Sequence, residues 1–175
     1  MANKNDIDFL KNLTEIDFNK IETLPIHQVK ELLDLMQPKM NKYMPHTPTV
    51  KQAIFMNLPI KEAFFGGAAG GGKSDALLMD ALQNVDKKGY AAIIFRKSYA
   101  DLVKPGALID RAKEWLFRFD DVKWVDKERK FDFLQKYGPH TETRSILQFG
   151  YLENANDRFN YQGGEYQYIG QSVEA

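Results

Sequence analysis

One short segment of the chain, residues 67–74, has the composition of an anion-binding loop. It reads Gly-Ala-Ala-Gly-Gly-Gly-Lys-Ser and matches G-x-x-x-x-G-K-[ST] at every fixed position. Glycines let consecutive backbone N–H groups turn toward one point without side-chain collisions, and a helix that follows adds its positive end. Lys73 would supply a mobile positive charge for the β- and γ-phosphates, and Ser74 would offer a hydroxyl to Mg²⁺. The segment therefore predicts the binding of a nucleoside triphosphate with Mg²⁺.

The alternative interpretation of this segment is a flexible glycine-rich turn in which Lys73 and Ser74 are incidental. The sequence context favours the anion site, because an apolar segment precedes the loop and an amphipathic helix follows it. The residues assigned to nucleotide binding are Gly67, Ala68, Ala69, Gly70, Gly71, Gly72, Lys73, Ser74 and the next residue, Asp75.

Helices and strands are predicted to alternate around this loop. Apolar spacing indicates helices over residues 50–58, 73–85 and 105–119, and apolar runs indicate strands over 62–65, 90–95, 122–125, 145–149 and 166–169. Such alternation is typical of an α/β domain in which helices cover both faces of a mainly parallel sheet. We therefore predict an α/β three-layer sandwich.

The first 42 residues have a different character. Apolar residues recur at helical spacing between Ile26 and Met36, and Pro38 ends this pattern. The following stretch contains two X-Pro steps, each of which disfavours helix, so residues 43–49 are predicted to form a connector. We predict a helical arm over residues 1–42 and one main domain over residues 43–175.

The overall composition excludes several classes of protein. The chain has 175 residues, 24 Lys and Arg against 24 Asp and Glu, and no cysteine, so disulfides, zinc–thiolate sites and thiol nucleophiles are excluded. His27, His46 and His140 are too scattered to predict a metal site. No apolar run approaches the ~20 residues that cross a bilayer, and the amino terminus lacks a secretion pattern. A soluble, intracellular protein is expected, with no membrane partner.

Four ordered segments resemble the large terminase subunit of tailed bacteriophages, the ATP-driven motor that packs DNA into capsids. They span roughly residues 45–171, and together they are more specific than the phosphate loop alone. The segments are residues 48–55 (PTVKQAIF), 65–74 (FGGAAGGGKS), 94–102 (IFRKSYADL) and 156–166 (NDRFNYQGGEY).

The resemblance implies roles for individual residues. Gln52 would hydrogen-bond the adenine edge, although an exposed helical glutamine is an alternative. Arg96 would lie near the phosphates or the sensing loop, or form a salt bridge within the domain. Arg158 is the candidate finger for the γ-phosphate of a neighbouring subunit, with a surface arginine beside Asp157 as the alternative. Lys73, Arg96 and Arg158 are thus the candidate catalytic residues.

The sequence departs from the family pattern after the last predicted strand. There the family has an Asp-Glu pair, which holds the Mg²⁺ shell and positions the attacking water. Residues 171–175 read Gln-Ser-Val-Glu-Ala, and Glu174 lies one residue beyond the expected Glu. We therefore expect a chain truncated near the Walker B strand, without the family's nuclease domain. It could be a split, intron-interrupted or partial gene product, or a working short protein.

The resemblance implies an ATPase that in its complete form drives double-stranded DNA packaging in the host cytoplasm. The small terminase subunit, the capsid portal and a homo-oligomeric ring are the implied partners. Weak or no turnover is expected for this chain alone. The alternatives are a fragment that binds nucleotide or a partner without hydrolysis, and another P-loop motor such as a helicase.

Two further features have competing interpretations. The segment 126–130 carries charges of both signs, which favours a solvated turn over a binding patch. Tyr161, Tyr166 and Tyr168 are predicted to pack against the sheet, with a DNA-facing loop as the alternative.

Overall fold

The computed structural model describes residues 25, 27, 38–58, 61–66, 70 and 72–172. The chain divides into two compact units, one of Met1–Pro38 with Pro48–Gly66 and one of Lys39–Thr47 with Gly67–Ala175. This division places residues 39–47 and 48–66 in different units, whereas the sequence predicted a single boundary after residue 42. The helix predicted between Ile26 and Met36 lies outside the described residues except for His27, so the helical arm stays a prediction.

The first unit contains helix α1, Val50–Met56. A capping box begins it, because the Thr49 side chain accepts from the Gln52 N–H and the Gln52 side chain accepts from the Thr49 N–H. Residues 62–65 form no strand, so that prediction is wrong. The apolar composition of residues 62–65 suggested a buried strand, but it did not identify a neighbouring strand with which they could pair. Phe64 is in fact 85% exposed. Phe65 stacks on Phe55, with ring centroids 4.9 Å apart.

The second unit holds three helices, five strands and two 3₁₀ segments in its described part. In chain order they are α2 (Lys73–Leu82), β1 (Ala91–Arg96), α3 (Tyr99–Val103), α4 (Leu108–Leu116), β2 (Val122–Val125), a 3₁₀ turn (Asp126–Glu128), β3 (Lys130–Tyr137), β4 (His140–Tyr151), a 3₁₀ helix (Ala155–Tyr161) and β5 (Tyr168–Gln171).

The five strands form one mixed sheet in the order β2-β3-β4-β1-β5. Strand β1 is parallel to both of its neighbours, β4 and β5. Strands β2, β3 and β4 form an antiparallel meander, so the sheet is less parallel than predicted. The antiparallel part arises at the turn between Tyr137 and His140, where Gly138 takes a positive φ of 57°. The α/β class is confirmed.

The described helices of this unit pack on one face of the sheet. Leu77 of α2 lies against Gly170, Tyr99 of α3 against Tyr151, and Phe117, directly after α4, against Phe131. Strand registers place those three sheet residues on the same face. The opposite face is packed by the 3₁₀ helix, whose Tyr161 meets Phe95 edge-on at 4.8 Å.

The helix predicted over residues 105–119 is broken at its beginning. Lys104, the residue before Pro105, has ψ 147° and ends α3, as the clash with the proline ring requires. Gly106 follows with φ 74°, and α4 starts only at Leu108. Residues 99–103 instead form α3, which Ser98 caps by accepting from the Asp101 N–H. Within the described residues, no helix combines the length and apolar character that crossing a bilayer requires.

Candidate functional site

The candidate anion site lies where the glycine-rich loop meets α2. Gly67, Ala68, Ala69 and Gly71 lie outside the described residues, but both described loop glycines take positive φ, 79° at Gly70 and 71° at Gly72. Gly72 is the N-cap of α2, and its carbonyl accepts the Ala76 N–H at 2.9 Å. The first N–H groups of a helix have no partner within that helix. Lys73, Ser74 and Asp75 thus present donors at the positive end of a ten-residue helix.

Arg96 is brought to this site by the sheet. It is the last residue of β1, is 7% exposed, and directs its Nη2 atom to Ser74 Oγ at 3.5 Å. The carboxyl end of β1 therefore meets the first turn of α2. Whether Arg96 acts on a phosphate or serves in a salt bridge stays a prediction.

Asp75 turns its side chain toward α4. Its Oδ1 pairs with Arg111 Nη1, and its Oδ2 lies 3.7 Å from His46 Nε2. The two side chains of the ion pair remain 24% and 36% exposed. An open cavity of about 420 Å³ lies beside them. The Asp75 N–H faces the loop end of α2, whereas its carboxylate belongs to a separate cluster of charges.

The opposite half of α2 carries a half-buried carboxyl group, Asp80. Gln83 Nε2 donates to Asp80 Oδ1 at 2.7 Å, and Tyr168 Oη of β5 donates to the Leu77 carbonyl at 3.4 Å. Desolvation raises the pKa of Asp80 to about 6. Burial, together with the nearby Asp80 charge, also raises the pKa of Tyr168 and Tyr90. The Tyr168 hydrogen bond joins α2 to β5.

Gln52 lies in the first unit, in helix α1. It is 3% exposed, so the alternative of an exposed helical glutamine is wrong. Its Oε1 accepts the Thr49 N–H at 2.8 Å as part of the capping box. Contact with adenine stays a prediction.

Arg158 lies in the 3₁₀ helix after β4 and is exposed. It does not pair with Asp157, whose Oδ2 instead accepts the N–H groups of Glu153 and Asn154, both at 2.8 Å. The Arg158 guanidinium lies over the Phe159 ring at 5.0 Å. Arg158 is therefore far from the loop along the chain, and its side chain is exposed to solvent.

The three tyrosines pack and hydrogen-bond within the second unit, which confirms the first interpretation. Tyr166 Oη donates to Gln148 at 2.6 Å, Tyr161 Oη accepts from Tyr151 N at 3.1 Å, and Tyr168 Oη donates to the Leu77 carbonyl at 3.4 Å. The charged segment 126–130 forms the connection between β2 and β3, and residues 126–128 are exposed, as expected of a solvated turn.

The chain after β5 continues the sheet for one more hydrogen bond, from Ser172 N to the Phe95 carbonyl at 3.0 Å. Glu174 lies outside the described residues. Strand β5 begins two residues later than predicted, at Tyr168.

Sequence reasoning missed three side chains of this region: His46, Arg111 and Asp80. Arg111 is 36 residues from Asp75, and no motif links the two. The one available signal was the helical spacing of Arg111 and Trp115, which places both on one face of α4. Within the described ranges, no group of three His, Cys, Asp or Glu residues could hold a metal ion by itself.

The chain matches no protein-family model, no curated protein and no solved structure. The terminase resemblance therefore rests on the four sequence segments alone.

Proposed function

We propose that the second unit binds Mg·ATP at residues 67–74 and is the three-layer P-loop ATPase domain of a phage terminase large subunit. The observation that carries the proposal is the G-x-x-x-x-G-K-[ST] sequence at the start of α2. The positive φ angles of Gly70 and Gly72 support it, since a phosphate-binding loop needs backbone conformations that glycine adopts without strain.

The chain's own residues would each supply one element of phosphate recognition. Backbone N–H groups of the first turn donate to phosphate oxygens, and Lys73 adds a positive charge on a flexible stem. Arg96 contributes a second positive charge from the sheet side, next to Ser74. Donors and positive charges of this kind stabilise the charge that develops on the phosphates.

The same residues fit a magnesium ion that arrives with the nucleotide. Mg²⁺ typically takes one or two protein oxygens and fills its octahedron with phosphate oxygens and waters. Ser74 Oγ is the oxygen that this chain provides, and it lies in the first turn of α2. Bound there, the ion would neutralise charge on the β- and γ-phosphates.

In the complete motor we expect ATP hydrolysis to drive packaging of double-stranded DNA by a ring of subunits, with Arg158 reaching the neighbouring nucleotide. Its exposure and its freedom from Asp157 are compatible with such a finger. Gln52 would read adenine. The small terminase subunit and the capsid portal are the proposed partners.

A second candidate function is a nucleotide-binding module that does not hydrolyse ATP. The observation that favours it is the sequence at the end of β5, where residues 171–173 are Gln-Ser-Val and the Asp-Glu pair of the family is missing. Without an acid to position water, turnover by this chain alone would be weak.

Phosphate release tests the two candidates. It would be measured with Mg·ATP for this chain alone and together with a supplied carboxyl-terminal fragment that carries the Asp-Glu pair. Turnover restored by the fragment supports the motor, whereas binding without turnover in both cases supports the module. Separation of DNA strands would instead identify a helicase.

The finger role has its own test in assembled rings. Arg158→Ala should lower turnover at least about a hundredfold and leave ATP affinity within about twofold, because the finger acts on charge that develops in the transition state. Lys127→Ala, in the exposed 3₁₀ turn, is the matched control and should change neither quantity. A loss of affinity comparable to the loss of rate would contradict the finger role.

A further inference from the structure

Asp75 creates an electrostatic conflict at the loop end of α2. Its N–H belongs to the first turn, where it can donate to a phosphate, but its side chain carries a negative charge directly after Ser74. A carboxylate about 10 Å from a phosphate would weaken binding roughly three- to tenfold, given an intermediate dielectric constant and physiological salt. A site that binds a triphosphate needs this charge neutralised.

Two cationic or protonatable groups from outside α2 meet this carboxylate. Arg111 Nη1 pairs with Oδ1, and His46 Nε2 lies 3.7 Å from Oδ2. Arg111 comes from α4, and its N–H is fixed by the Ala107 carbonyl at 2.9 Å. One turn along the same helix, Trp115 packs edge-on against His46, with ring centroids 5.8 Å apart. The partners of Asp75 are therefore held by packing independent of the loop.

We propose that Arg111 is a positioning residue of the nucleotide site, an inference that rests on the proposed function. Its guanidinium neutralises Asp75 and holds the carboxylate on the α4 side of the helix, so that the first-turn N–H groups meet the phosphates without an opposing charge. Arg111 acts through Asp75 and does not itself touch the nucleotide.

Removal of Arg111 would take away the cation that pairs with Asp75. The Asp75 side chain is 24% exposed and borders the open cavity, whose other walls include Glu114 and Arg118. Replacement of Arg111 by a neutral residue would therefore leave the carboxylate beside the loop without its guanidinium partner.

The test is calorimetric titration of the full chain with Mg·ATP at low and high salt. Arg111→Gln should weaken binding roughly three- to tenfold in 50 mM salt, and the loss should shrink in 500 mM salt, because salt screens an exposed charge. Arg111→Lys keeps the charge and should bind within about twofold of the wild type. Lys113→Gln is the matched control: it removes one charge from the same helix, but Lys113 lies over Trp124 rather than beside Asp75.

The decisive variants remove the negative charge itself. Asp75→Asn should bind Mg·ATP as tightly as the wild type or more tightly, and Asp75→Asn combined with Arg111→Gln should restore the affinity that Arg111→Gln loses. A structural role alone would make the double variant as weak as the single one or weaker. Weaker binding by Asp75→Asn, wild-type affinity of folded Arg111→Gln, or a salt-independent loss would each overturn the inference. If the wild type binds no nucleotide, the proposed function fails, and this inference fails with it.

Discussion

Asp75 and Asp80 lie on the same helix, α2, but in opposite environments. Asp75, in the first turn, remains partly exposed and is neutralised by Arg111 from α4. Asp80, in the last turn, accepts a hydrogen bond from Gln83, and no cation of the described residues pairs with it. Burial raises the pKa of Asp80 to about 6, against an ordinary value of 3.8. One helix thus carries an ion-paired carboxylate at one end and a carboxyl group of raised pKa at the other.

The difference indicates that the two ends of α2 have different roles. Two hydrogen bonds hold the middle and the last turn of α2: Tyr168 of β5 donates to the Leu77 carbonyl at 3.4 Å, and the Asn41 side chain donates to the Leu82 carbonyl at 2.7 Å. The first-turn N–H groups have no acceptor within the helix itself, so the helix does not depend on them for its position. Changes at the last turns should therefore alter stability, whereas changes at the first turn should alter nucleotide affinity.

The largest effect on stability is expected where α2 meets β5. A Cβ atom at Gly170 would lie 2.8 Å from Leu77 Cδ1 and 3.0 Å from the Tyr168 ring. Gly170→Val should therefore lower the free energy of unfolding by about 3 kcal/mol, as overpacking between a helix and a strand does. Urea denaturation measures this change. Ile169→Val, on the same strand but 66% exposed, is the control and should cost less than about 0.5 kcal/mol. Equal effects of both variants would contradict the close packing of α2 on β5.

The next effect is a dependence of stability on pH at Asp80. Because the folded state raises this pKa, the group's contribution to stability is fully present below pH 3.8 and is lost as pH rises through about 6. Asp80→Asn removes the titration and keeps an acceptor oxygen for Gln83. The variant should be more stable than the wild type by about 2 kcal/mol at pH 8, with the difference vanishing near pH 4.

Asp86 provides a control, because the fold lowers its pKa whereas it raises that of Asp80. Its hydrogen bond with Lys39 lowers the pKa of Asp86, so its contribution is present above its ordinary pKa and is lost as pH falls. Asp86→Asn should therefore not gain stability at pH 8. If the difference in the free energy of unfolding between Asp80→Asn and the wild type were constant from pH 4 to 8, the pKa of Asp80 would not be raised in the folded state.

The smallest effect is expected from Tyr168→Phe. The variant loses the hydrogen bond from the Tyr168 hydroxyl to the Leu77 carbonyl but keeps the ring. Thermal unfolding should report a loss of about 1 kcal/mol with nucleotide affinity unchanged. If Tyr168→Phe changed the affinity for nucleotide but not the thermal stability, the two ends of α2 would not have the separate roles proposed here.

The sequence predicted the elements that local signals define. The start of α2 followed from the loop motif, and β1 followed from an apolar run that is buried on both faces. The amino-terminal half of β4 could not be predicted, because residues 140–143 are polar, exposed and paired only with β3. The break at Pro105 was predictable from the restriction that a proline places on the residue before it.

The charges around the candidate site were less accessible to prediction. The loop motif predicted Lys73 and Ser74, and the family resemblance of residues 94–102 predicted Arg96. The pairing of Asp75 with Arg111 depends on where α4 packs, which no local pattern specifies. The raised pKa of Asp80 likewise arises from tertiary burial, since its sequence position on α2 does not distinguish it from Asp75.

The most direct test of the central claim is calorimetric titration of the folded full chain with Mg·ATP, compared with Lys73→Ala. We predict saturable binding by the wild type. We also predict affinity lower by at least about a hundredfold for Lys73→Ala, because the variant loses a charge-assisted contact to the phosphates. The thermal stability of both proteins should be the same. Absence of saturable heat for the folded wild type, or equal affinity of the two proteins, would contradict the assignment of residues 67–74 to triphosphate binding.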